Sequence, residues 1–476
     1  MAKKIKTDIC VIGGGSGGLS VAAGASQMGA KVILVESGKM GGDCLNYGCV
    51  PSKALLAAAH RAQDMRQSAP FGITAQEPSV DMQAVHDHVH NVIAGIAPHD
   101  SVERFEGLGV TVIQDTAHFT GRRHIQAGGQ TIKAKYFVIA TGSSAFVPPI
   151  DGLADTPYWT NETIFDVTEP INHLIVIGGG PIGMELAQAH RRLGAKVTVV
   201  EMLNALGKDD SEAAEVVKAK LRSEGIDLQE GTAVTKVAKT DAGIAVTLEK
   251  DGNAGVVEGS HLLVAVGRKP NIEALNLDKA AIEHSPKGIA VDARLRTSNR
   301  RVFAIGDVTG GYQFTHMAGY DAGIVIRNCL FKLPAKAKHH AVPWVTYTDP
   351  ELAQVGLQES QAIEDLGAGN IRILRWAYGE NDRARAEGQT DGFIKVITDK
   401  KGHILGATIV GAQAGELIGL WCLAVQEKKK IGSIAGLILP YPTRGELSKR
   451  AAGSFFTPSL FSEKIRRIVR FLMAFS

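Results

Sequence analysis

The sequence has little cysteine, little net charge and no long apolar segment. Among its 476 residues are 5 cysteines, and its formal net charge is +3. So few cysteines exclude a disulfide-rich scaffold, and so small a charge gives no indication of nucleic-acid binding. No window offers the roughly 18 consecutive apolar residues of a membrane-spanning helix. The first residues lack the apolar core of a secretory signal peptide, so we expect a cytoplasmic protein.

The remaining composition is that of a globular protein with large cores. Hydrophobic residues make up 45% of the chain and charged residues 21%, and the length suggests about three domains of ~150 residues each. Cys10, Cys329 and Cys422 have apolar neighbours, which is typical of buried, inert thiols. Cys44 and Cys49 instead lie close together in the glycine-rich segment GGDCLNYGCVPSK.

Two segments share one pattern: an apolar strand, a glycine-rich turn, a helix and a second strand that ends in glutamate. The first segment contains Gly13, Gly15, Gly18 and Glu36, and the second contains Gly178, Gly180, Gly183 and Glu201. In this context GxGxxG is typical of a dinucleotide-binding βαβ unit. Its glycines let the backbone approach a pyrophosphate at the helix N-terminus, and its carboxylate can accept hydrogen bonds from a ribose diol. The sequence therefore predicts two bound dinucleotides.

The second pattern also indicates which nicotinamide cofactor binds. The carboxylate of Glu201 would repel a 2′-phosphate and accept a hydrogen bond from a free 2′-hydroxyl. The next segment, MLNALGKDD, contains no arginine and offers Lys208 as its one cation. NADH is therefore favoured over NADPH.

The spacing of Cys44 and Cys49 favours a redox-active disulfide over a structural disulfide, half a zinc site or coincidence. In a regular helix, residues five apart are separated by about 7.5 Å of axial rise, whereas a disulfide needs Cα atoms within about 6.8 Å. The pair can close only if the helix start is distorted, which suits Gly48. A zinc site needs about two further ligands, and none lies nearby in the sequence. A local disulfide in a cytosolic protein is typical of catalysis, and thiolates form readily at a helix N-terminus.

These motifs together resemble those of the class I pyridine nucleotide-disulfide oxidoreductases, which include glutathione reductase, dihydrolipoamide dehydrogenase and mercuric reductase. The resemblance rests on the cysteine segment, the two GxGxxG units, ATG at 140–142, VGRKPN at 266–271 and AIGDVTG at 304–310. It implies an α/β fold with two Rossmann-like dinucleotide-binding domains, for FAD and NAD, and a C-terminal α+β dimerisation domain of a homodimer. The implied boundaries are 1–150 and 273–340 for the FAD domain, 151–272 for the NAD(P)H domain and 341–476 for the dimerisation domain.

The resemblance also implies a role for each matching residue. Cys49 would face the flavin as the charge-transfer thiol, Cys44 would face the acceptor, and Lys53 would approach the flavin and pair with Glu185. The residues implied to hold FAD are Gly13, Gly15, Gly18, Glu36, Thr141, Gly142 and Asp307, and those implied to hold the nicotinamide dinucleotide are Gly178, Gly180, Gly183, Glu201 and Gly267.

One position departs from the family's pattern for disulfide reduction. Disulfide-reducing members carry His-Pro-Thr-x-x-Glu, in which the histidine shuttles protons to the partner subunit's thiols and the glutamate orients it. Here Tyr441 replaces that histidine, and Glu446 matches the glutamate. A phenol titrates near pH 10 and an imidazole near about 6.5, so Tyr441 cannot act as that base at neutral pH. Mercuric reductase is similar in placing tyrosine here, and thiolates bind soft metal ions, but the chain lacks the vicinal cysteine pair with which mercuric reductases end.

We therefore expect an FAD-dependent oxidoreductase that passes electrons from NADH through FAD to the Cys44–Cys49 disulfide and on to a small-molecule or metal-ion acceptor. In the favoured interpretation the enzyme is dihydrolipoamide-dehydrogenase-like and the acceptor is a small or protein disulfide. The alternatives are a soft metal ion, as for a mercuric reductase, and a quinone that takes electrons directly from the flavin. The alternative from another class is a redox-sensing binding protein whose disulfide reports NADH status to a partner.

Two further segments have no place in this scheme. His86 and His90 share a helix face at a spacing that can bind metal, but no carboxylate motif completes a site. We interpret the segment, with His88, as a solvated helix face and assign no metal ligand. Residues 461–475 are predicted to form an amphipathic helix, with an apolar face of Phe461, Ile465, Ile468, Val469 and Leu472 opposite Lys464, Arg466, Arg467 and Arg470. Packing on the dimer is the favoured interpretation, and contact of residues 457–476 with the inner face of a membrane is the alternative.

Overall fold

A computed structural model of the chain describes residues 4–241 and 243–475. In chain order the strands are β1 (Lys4–Ile12), β2 (Val32–Glu36), β3 (Val110–Gln114), β4 (His118–Gly121), β5 (His124–Ala127), β6 (Gln130–Ile139), β7 (Ser143–Ala145), β8 (His173–Ile177), β9 (Lys196–Val200), β10 (Asp227–Gln229), β11 (Ala233–Thr240), β12 (Gly243–Lys250), β13 (Asn253–Gly259), β14 (His261–Val264), β15 (Arg268–Pro270), β16 (His284–Ser285), β17 (Gly288–Ile289), β18 (Val302–Ala304), β19 (Pro343–Thr346), β20 (Glu351–Gly356), β21 (Ile371–Ala377), β22 (Phe393–Asp399) and β23 (Ile404–Gly411).

The helices follow the same order. They are α1 (Ser16–Gln27), α2 (Gly42–Asn46), α3 (Cys49–Arg66), α4 (Met82–Ile96), α5 (Val102–Gly107), α6 (Pro181–Arg192), α7 (Ser211–Ser223), α8 (Thr315–Cys329), α9 (Glu359–Leu366), α10 (Asp382–Ala386), α11 (Ala414–Gln426), α12 (Ile431–Ala435), α13 (Glu446–Ser454), α14 (Thr457–Leu460) and α15 (Glu463–Met473). Within the described residues, none of these helices combines the length and the apolar content needed to span a membrane.

The chain divides into two compact units. Unit 1 extends to Gln67 and continues with Ala75–Met202 and Gly231–Lys338. Unit 2 consists of Ser68–Thr74, Leu203–Glu230 and the chain from His339 onward. Both glycine-rich patterns and the cysteine pair therefore lie in unit 1, and Tyr441 and the basic C-terminal segment lie in unit 2.

The first glycine-rich pattern of unit 1 forms a βαβ unit at the centre of a sheet ordered β3-β2-β1-β6-β5-β4, with β18 also paired to β6. Strands β1, β2, β3, β6 and β18 pair in parallel. Along β1, Ile9 and Val11 pack into one buried cluster with α1, and Cys10 and Ile12 pack into a second cluster on the opposite face. A parallel sheet buried on both faces is what a continuous apolar strand predicts.

The second pattern forms the equivalent unit from β8, α6 and β9. Strand β8 pairs in parallel with β9 on one side and with β14 on the other. Its residues Leu174, Ile175 and Val176 are fully buried. The antiparallel meander β11-β12-β13 follows in the chain and contributes Val237, Val246 and Leu248 to the same buried cluster as Ile175.

Unit 2 is built on an antiparallel five-stranded sheet ordered β19-β20-β23-β22-β21. Helices α11, α12 and α13 pack on the sheet and on one another, around the fully buried Trp421. Since an indole N–H needs a partner when it is buried, Trp421 donates from Nε1 to Ser448 Oγ on α13, at 3.0 Å.

The three scattered cysteines differ in burial. Cys10 and Cys329 are buried, as predicted, whereas Cys422 is half-buried. Burial raises the pKa of the Cys10 and Cys422 thiols and raises that of Cys329 to about 12. The prediction of a buried thiol was therefore wrong for Cys422, because the apolar neighbours of a helical residue need not share its face.

Candidate active site

The cysteine pair lies at a break between two short helical segments. Cys44 is in α2, which ends at Asn46, and Cys49 is the first residue of α3. Gly48 separates the helices with a backbone conformation outside the helical region, at φ −125° and ψ −112°. Asn161 holds this bend, since its side-chain amide donates to Tyr47 O at 3.1 Å and to Asp43 Oδ1 at 3.3 Å. The break supplies the distortion that closing the pair requires.

The two thiols are free in this structure and differ in acidity. A hydrogen bond with the Cys44 thiol lowers the pKa of Cys49 to about 6, although burial acts in the opposite direction. The Thr315 hydroxyl, 3.5 Å from Cys49 Sγ, and the positive charge of Lys53 lower it further. The same Cys44–Cys49 hydrogen bond, together with burial, raises the pKa of Cys44. Near neutral pH the reduced pair is therefore a Cys49 thiolate hydrogen-bonded by a Cys44 thiol.

A half-buried ion pair lies one turn along the same helix. Lys53 Nζ of α3 is 2.7 Å from Glu185 Oε2 of α6, and the Glu185 side chain is only 7% exposed. The resemblance implies this contact, and packing of α3 against α6 brings it about. A buried carboxylate without a cationic partner is costly. Glu185 of α6 therefore holds the Lys53 ammonium close to α6.

The two glycine-rich turns have the same geometry. Gly13 and Gly178 have φ angles of +109° and +111°, and a Cβ on either would lie 2.2 or 2.4 Å from a backbone oxygen. Gly14 N donates to Glu36 Oε2, and Gly179 N donates to Glu201 Oε2 at 2.7 Å. Each glutamate is thereby held against its own turn.

The middle glycine of the second turn has a different explanation. Among the described residues, a Cβ on Gly180 would meet no atom within 4 Å, so no contact with them requires a glycine there. A pyrophosphate at the N-terminus of α6 does require one, because a side chain would keep it from the backbone N–H groups. The residues of both turns therefore fit dinucleotide cofactors.

Asp307 lies in a network of polar side chains. The sequence indicated no role for the other residues of this network. Ser143 Oγ donates to Asp307 Oδ2 at 2.6 Å, and Arg268 Nε donates to Ser143 Oγ at 2.7 Å. Arg268 also pairs with Asp43 of α2 at 3.0 Å. Burial raises the pKa of Asp307, and Ser143 and Arg268 partly oppose this effect. An acceptor carboxylate held in this way fits a hydroxyl of the FAD ribityl chain.

The motifs ATG and VGRKPN meet in the same part of unit 1. Thr141 Oγ1 donates to Asn271 O at 2.7 Å, and Asn271 N donates to Gly142 O at 3.0 Å. Gly267, at φ +132°, accepts from Phe146 N at 2.9 Å. Asn271, like Arg268, therefore holds this segment together, and membership of VGRKPN was the one available signal for either residue. No sequence signal pointed to Thr315 or Asn161.

Tyr441 and Glu446 are part of unit 2. Tyr441 is 69% exposed, and its hydroxyl donates to Asp382 Oδ2 at 3.1 Å. This hydrogen bond, together with the charge of Asp382, raises the pKa of the Tyr441 phenol. Glu446 is the first residue of α13. Asp382 is a partner that the sequence did not indicate.

Residues 7–322 match the pyridine nucleotide-disulphide oxidoreductase family, and residues 342–452 match the dimerisation domain of the same family. The chain belongs to the pyridine nucleotide-disulphide oxidoreductases. The family resemblance and the α/β fold class predicted from the sequence are thereby confirmed, and the second match supports a homodimer.

Proteins similar to this chain include mercuric reductases, dihydrolipoyl dehydrogenases and a flavoprotein disulfide reductase. The chain is 35% identical to a mercuric reductase of Staphylococcus aureus, over 94% of this chain and 82% of that protein. It is 34% identical to a dihydrolipoyl dehydrogenase of Geobacillus stearothermophilus, over 94% and 96% of the two chains. A solved Cu(II) complex of the HOCl-induced flavoprotein disulfide reductase RclA from Escherichia coli is 26% identical, with a TM-score of 0.84 over 96% of this chain and 100% of that one.

The catalytic class follows from the family. The protein is an FAD-dependent NAD(P)H oxidoreductase of the disulfide-reductase type, as the sequence predicted. The family does not decide between NADH and NADPH.

Proposed function

We propose that this oxidoreductase passes electrons from NADH through the Cys44–Cys49 pair to a soft metal ion. FAD, when bound, supplies the two-electron chemistry that links the nicotinamide to the disulfide. Cys49, with its low pKa, provides the thiolate on the inner side of the pair, and Cys44 faces the acceptor. Lys53, held by Glu185, would stabilise negative charge beside the flavin.

The observation that supports this proposal most strongly is the protonation state of the Tyr441 phenol. Reduction of an external disulfide needs a side chain that acts as both base and acid, so that it can exchange protons with the leaving thiol near neutral pH. Tyr441 replaces the family's histidine, and Asp382 raises the pKa of its phenol further. The phenol therefore stays protonated at neutral pH and can only donate a hydrogen bond.

Metal-ion reduction does not need that base. Thiolates are preferred ligands of soft ions, and an ion held by the reduced pair needs no protonated leaving group. An ion that accepts two electrons, or two ions that accept one each, would return the thiolate–thiol pair to the disulfide and release the one proton that the pair holds. The names of the mercuric reductases and of the copper-bound RclA support this acceptor class.

A disulfide acceptor is the second candidate. The dihydrolipoyl dehydrogenases cover this chain as fully as the mercuric reductases do, at nearly the same identity. Steady-state NADH oxidation with Hg²⁺, Cu²⁺, glutathione disulfide, lipoamide and a soluble quinone distinguishes the candidates. Fast turnover with the metal ions alone supports the proposal, turnover with a disulfide or quinone contradicts it, and turnover with none indicates a redox sensor.

We expect NADH to be used at least about tenfold more efficiently than NADPH, because the Glu201 carboxylate, held by Gly179 N, would repel a 2′-phosphate. Glu201→Gln keeps the hydrogen-bond acceptor and removes the charge. This change should reduce the NADH/NADPH ratio of kcat/KM by about tenfold. Glu36→Gln, the same change in the other unit, should leave that ratio unaltered. A wild-type ratio near one would contradict the prediction.

We also propose that the basic C-terminal segment contacts an anionic membrane. Helix α15 contains no buried residue, and Phe461, Phe471 and Phe475 are 67%, 63% and 76% exposed. Such apolar residues beside Lys464, Arg466, Arg467 and Arg470 form the two faces of an interfacial helix.

Deletion of residues 457–476 tests this contact. The full chain should sediment with vesicles containing phosphatidylserine but not with purely zwitterionic vesicles, and the truncated chain should sediment with neither, because both charge and apolar surface are lost. If instead the deletion leaves vesicle binding unchanged and dissociates the dimer, the segment packs on the partner subunit, as the sequence analysis favoured.

A further inference from the structure

Helix α4 carries two histidines that lie together on one side. Asp81 caps the helix by accepting from Ala84 N at 3.1 Å, and Met82 and Val89 anchor it in the core. His86 and His90, four positions apart, are both half-buried, and their ring centroids are 4.1 Å apart. The intervening His88 is exposed. The helix therefore presents two imidazoles on one side, and its third imidazole points elsewhere.

The fold adds a carboxylate that the sequence did not place there. Asp166 ends the 3₁₀ turn Ile164–Asp166, and the buried side chains of Ile164 and Phe165 fix this turn. Asp166 Oδ1 lies 3.3 Å from His90 Nε2. His86, His90 and Asp166 each offer one ligand atom, and these three atoms lie within 4.8 Å of one another.

One ring nitrogen of the half-buried His90 is itself buried. In the part of the chain that the structure describes, His90 Nε2 is shielded from solvent and makes no hydrogen bond, although Asp166 Oδ1 lies 3.3 Å away. A buried, unsatisfied ring nitrogen is unfavourable unless a ligand occupies its lone pair.

His86 has the second contact that metal-binding histidines usually make. Its Nδ1 lies 3.0 Å from Asp87 Oδ1, and Gln83 Nε2 donates to the same oxygen at 2.8 Å. With Nδ1–H donated to a carboxylate, the lone pair of Nε2 is available to a cation. This carboxylate–histidine arrangement fixes the tautomer and orients the ring toward a cation.

From these contacts we infer that His86, His90 and Asp166 form a binding site for a first-row divalent transition metal, of the type that binds Zn²⁺, Co²⁺ or Ni²⁺. Two imidazoles and one carboxylate suit these ions better than Mg²⁺ or Ca²⁺, which prefer all-oxygen sites. Ligand atoms of a tetrahedral zinc ion lie roughly 3.4 Å apart, so small rotations of the rings and of the exposed Asp166 side chain would close the site. A water molecule would complete the coordination.

Metal binding here would join two segments of unit 1 that are far apart in the sequence. A cation would hold α4 to the turn before β8, and α4 also packs on α3, the helix that begins at Cys49. A ligand that binds only the folded state stabilises that state, so the ion should raise the thermal midpoint of unfolding. The site is separate from the thiols and does not depend on the proposed acceptor.

Calorimetric titration of the oxidised holoenzyme with Zn²⁺ tests this inference, because the Cys44–Cys49 disulfide then offers no thiolate. The wild type should bind one ion per chain in a tight site, and His90→Ala and Asp166→Asn should each weaken that site at least about tenfold. His88→Ala, the matched control on the same helix, should bind like the wild type. Asp166 is exposed, so its substitution tests the site without disturbing the core.

The same variants should also differ in the absorption spectrum of bound Co²⁺. Co²⁺ bound to the wild type should show tetrahedral d–d absorption without a sulfur charge-transfer band, and His90→Ala should lose that absorption. The inference is wrong if the wild type has no tight Zn²⁺ site, if Asp166→Asn and His90→Ala bind Zn²⁺ as the wild type does, or if His88→Ala loses binding equally.

Discussion

Cys44→Ala should reduce acceptor turnover by about 10³-fold or more, while NADH still bleaches the flavin absorbance. The change removes the thiol that we propose faces the acceptor and leaves both glycine-rich turns intact, and loss of a covalent group typically has effects of this size. The measurement is steady-state NADH oxidation with each acceptor, together with the flavin spectrum after addition of NADH alone.

The same variant should change the acidity of Cys49. The hydrogen bond with Cys44 is the main cause of the low Cys49 pKa of about 6. Without this partner, the pKa should rise toward the ordinary thiol value, and less thiolate should be present at neutral pH. The rate of alkylation of reduced protein as a function of pH reports this shift.

Cys422→Ser is the control for a cysteine substitution outside the pair. Its half-buried thiol lies on α11 in unit 2, and its loss should alter neither turnover nor the alkylation profile. Full acceptor turnover by Cys44→Ala would mean that electrons reach the acceptor without the disulfide, as expected of a quinone that is reduced directly at the flavin.

Tyr441→His should raise the reduction of glutathione disulfide or lipoamide by about 10²- to 10⁴-fold, the range typical of general acid–base catalysis. An imidazole titrates near pH 6.5 and can take a proton from a thiol at neutral pH, whereas the Tyr441 phenol cannot. The Asp382 carboxylate, which accepts from the tyrosine hydroxyl at 3.1 Å, is available to orient the new ring. Metal-ion reduction should change much less.

Tyr441→Phe distinguishes the effect of adding a base at this position from the effect of losing the phenol. It removes the hydroxyl and its hydrogen bond to Asp382 without adding a titratable group, so it should give no gain with disulfides. If Tyr441→His also gives none, the acceptor pocket rather than proton transfer excludes disulfides, and the missing base does not limit their reduction.

Much of the fold was predictable because its signals are local in the sequence. In both βαβ units a glycine-rich turn, an apolar strand and a closing glutamate follow one another within about 30 residues. Gly13 and Gly178 take the predicted turns, and Glu36 and Glu201 lie against them. The domain boundaries 1–150, 151–272, 273–340 and 341–476, and the site roles carried over from the family, remain predictions.

The contacts that tune the site were less predictable. Arg268 and Asn271 lie inside a motif whose role the sequence did not specify, and Thr315 lies more than 260 positions from Cys49. Side chains that meet across helices leave no periodic signal in the chain, since each is positioned by the packing of its own element.

The sequence by itself determined the two glycine-rich patterns, the close cysteine pair and the tyrosine in place of the family's histidine, because each depends on residue types at fixed short spacings. Only the tertiary structure decided that Cys49 is the more acidic thiol, that Asp382 raises the pKa of Tyr441, and that Asp166 joins His86 and His90. Acidity and metal coordination depend on distances of a few ångströms between atoms, and packing sets those distances between residues that are remote along the chain.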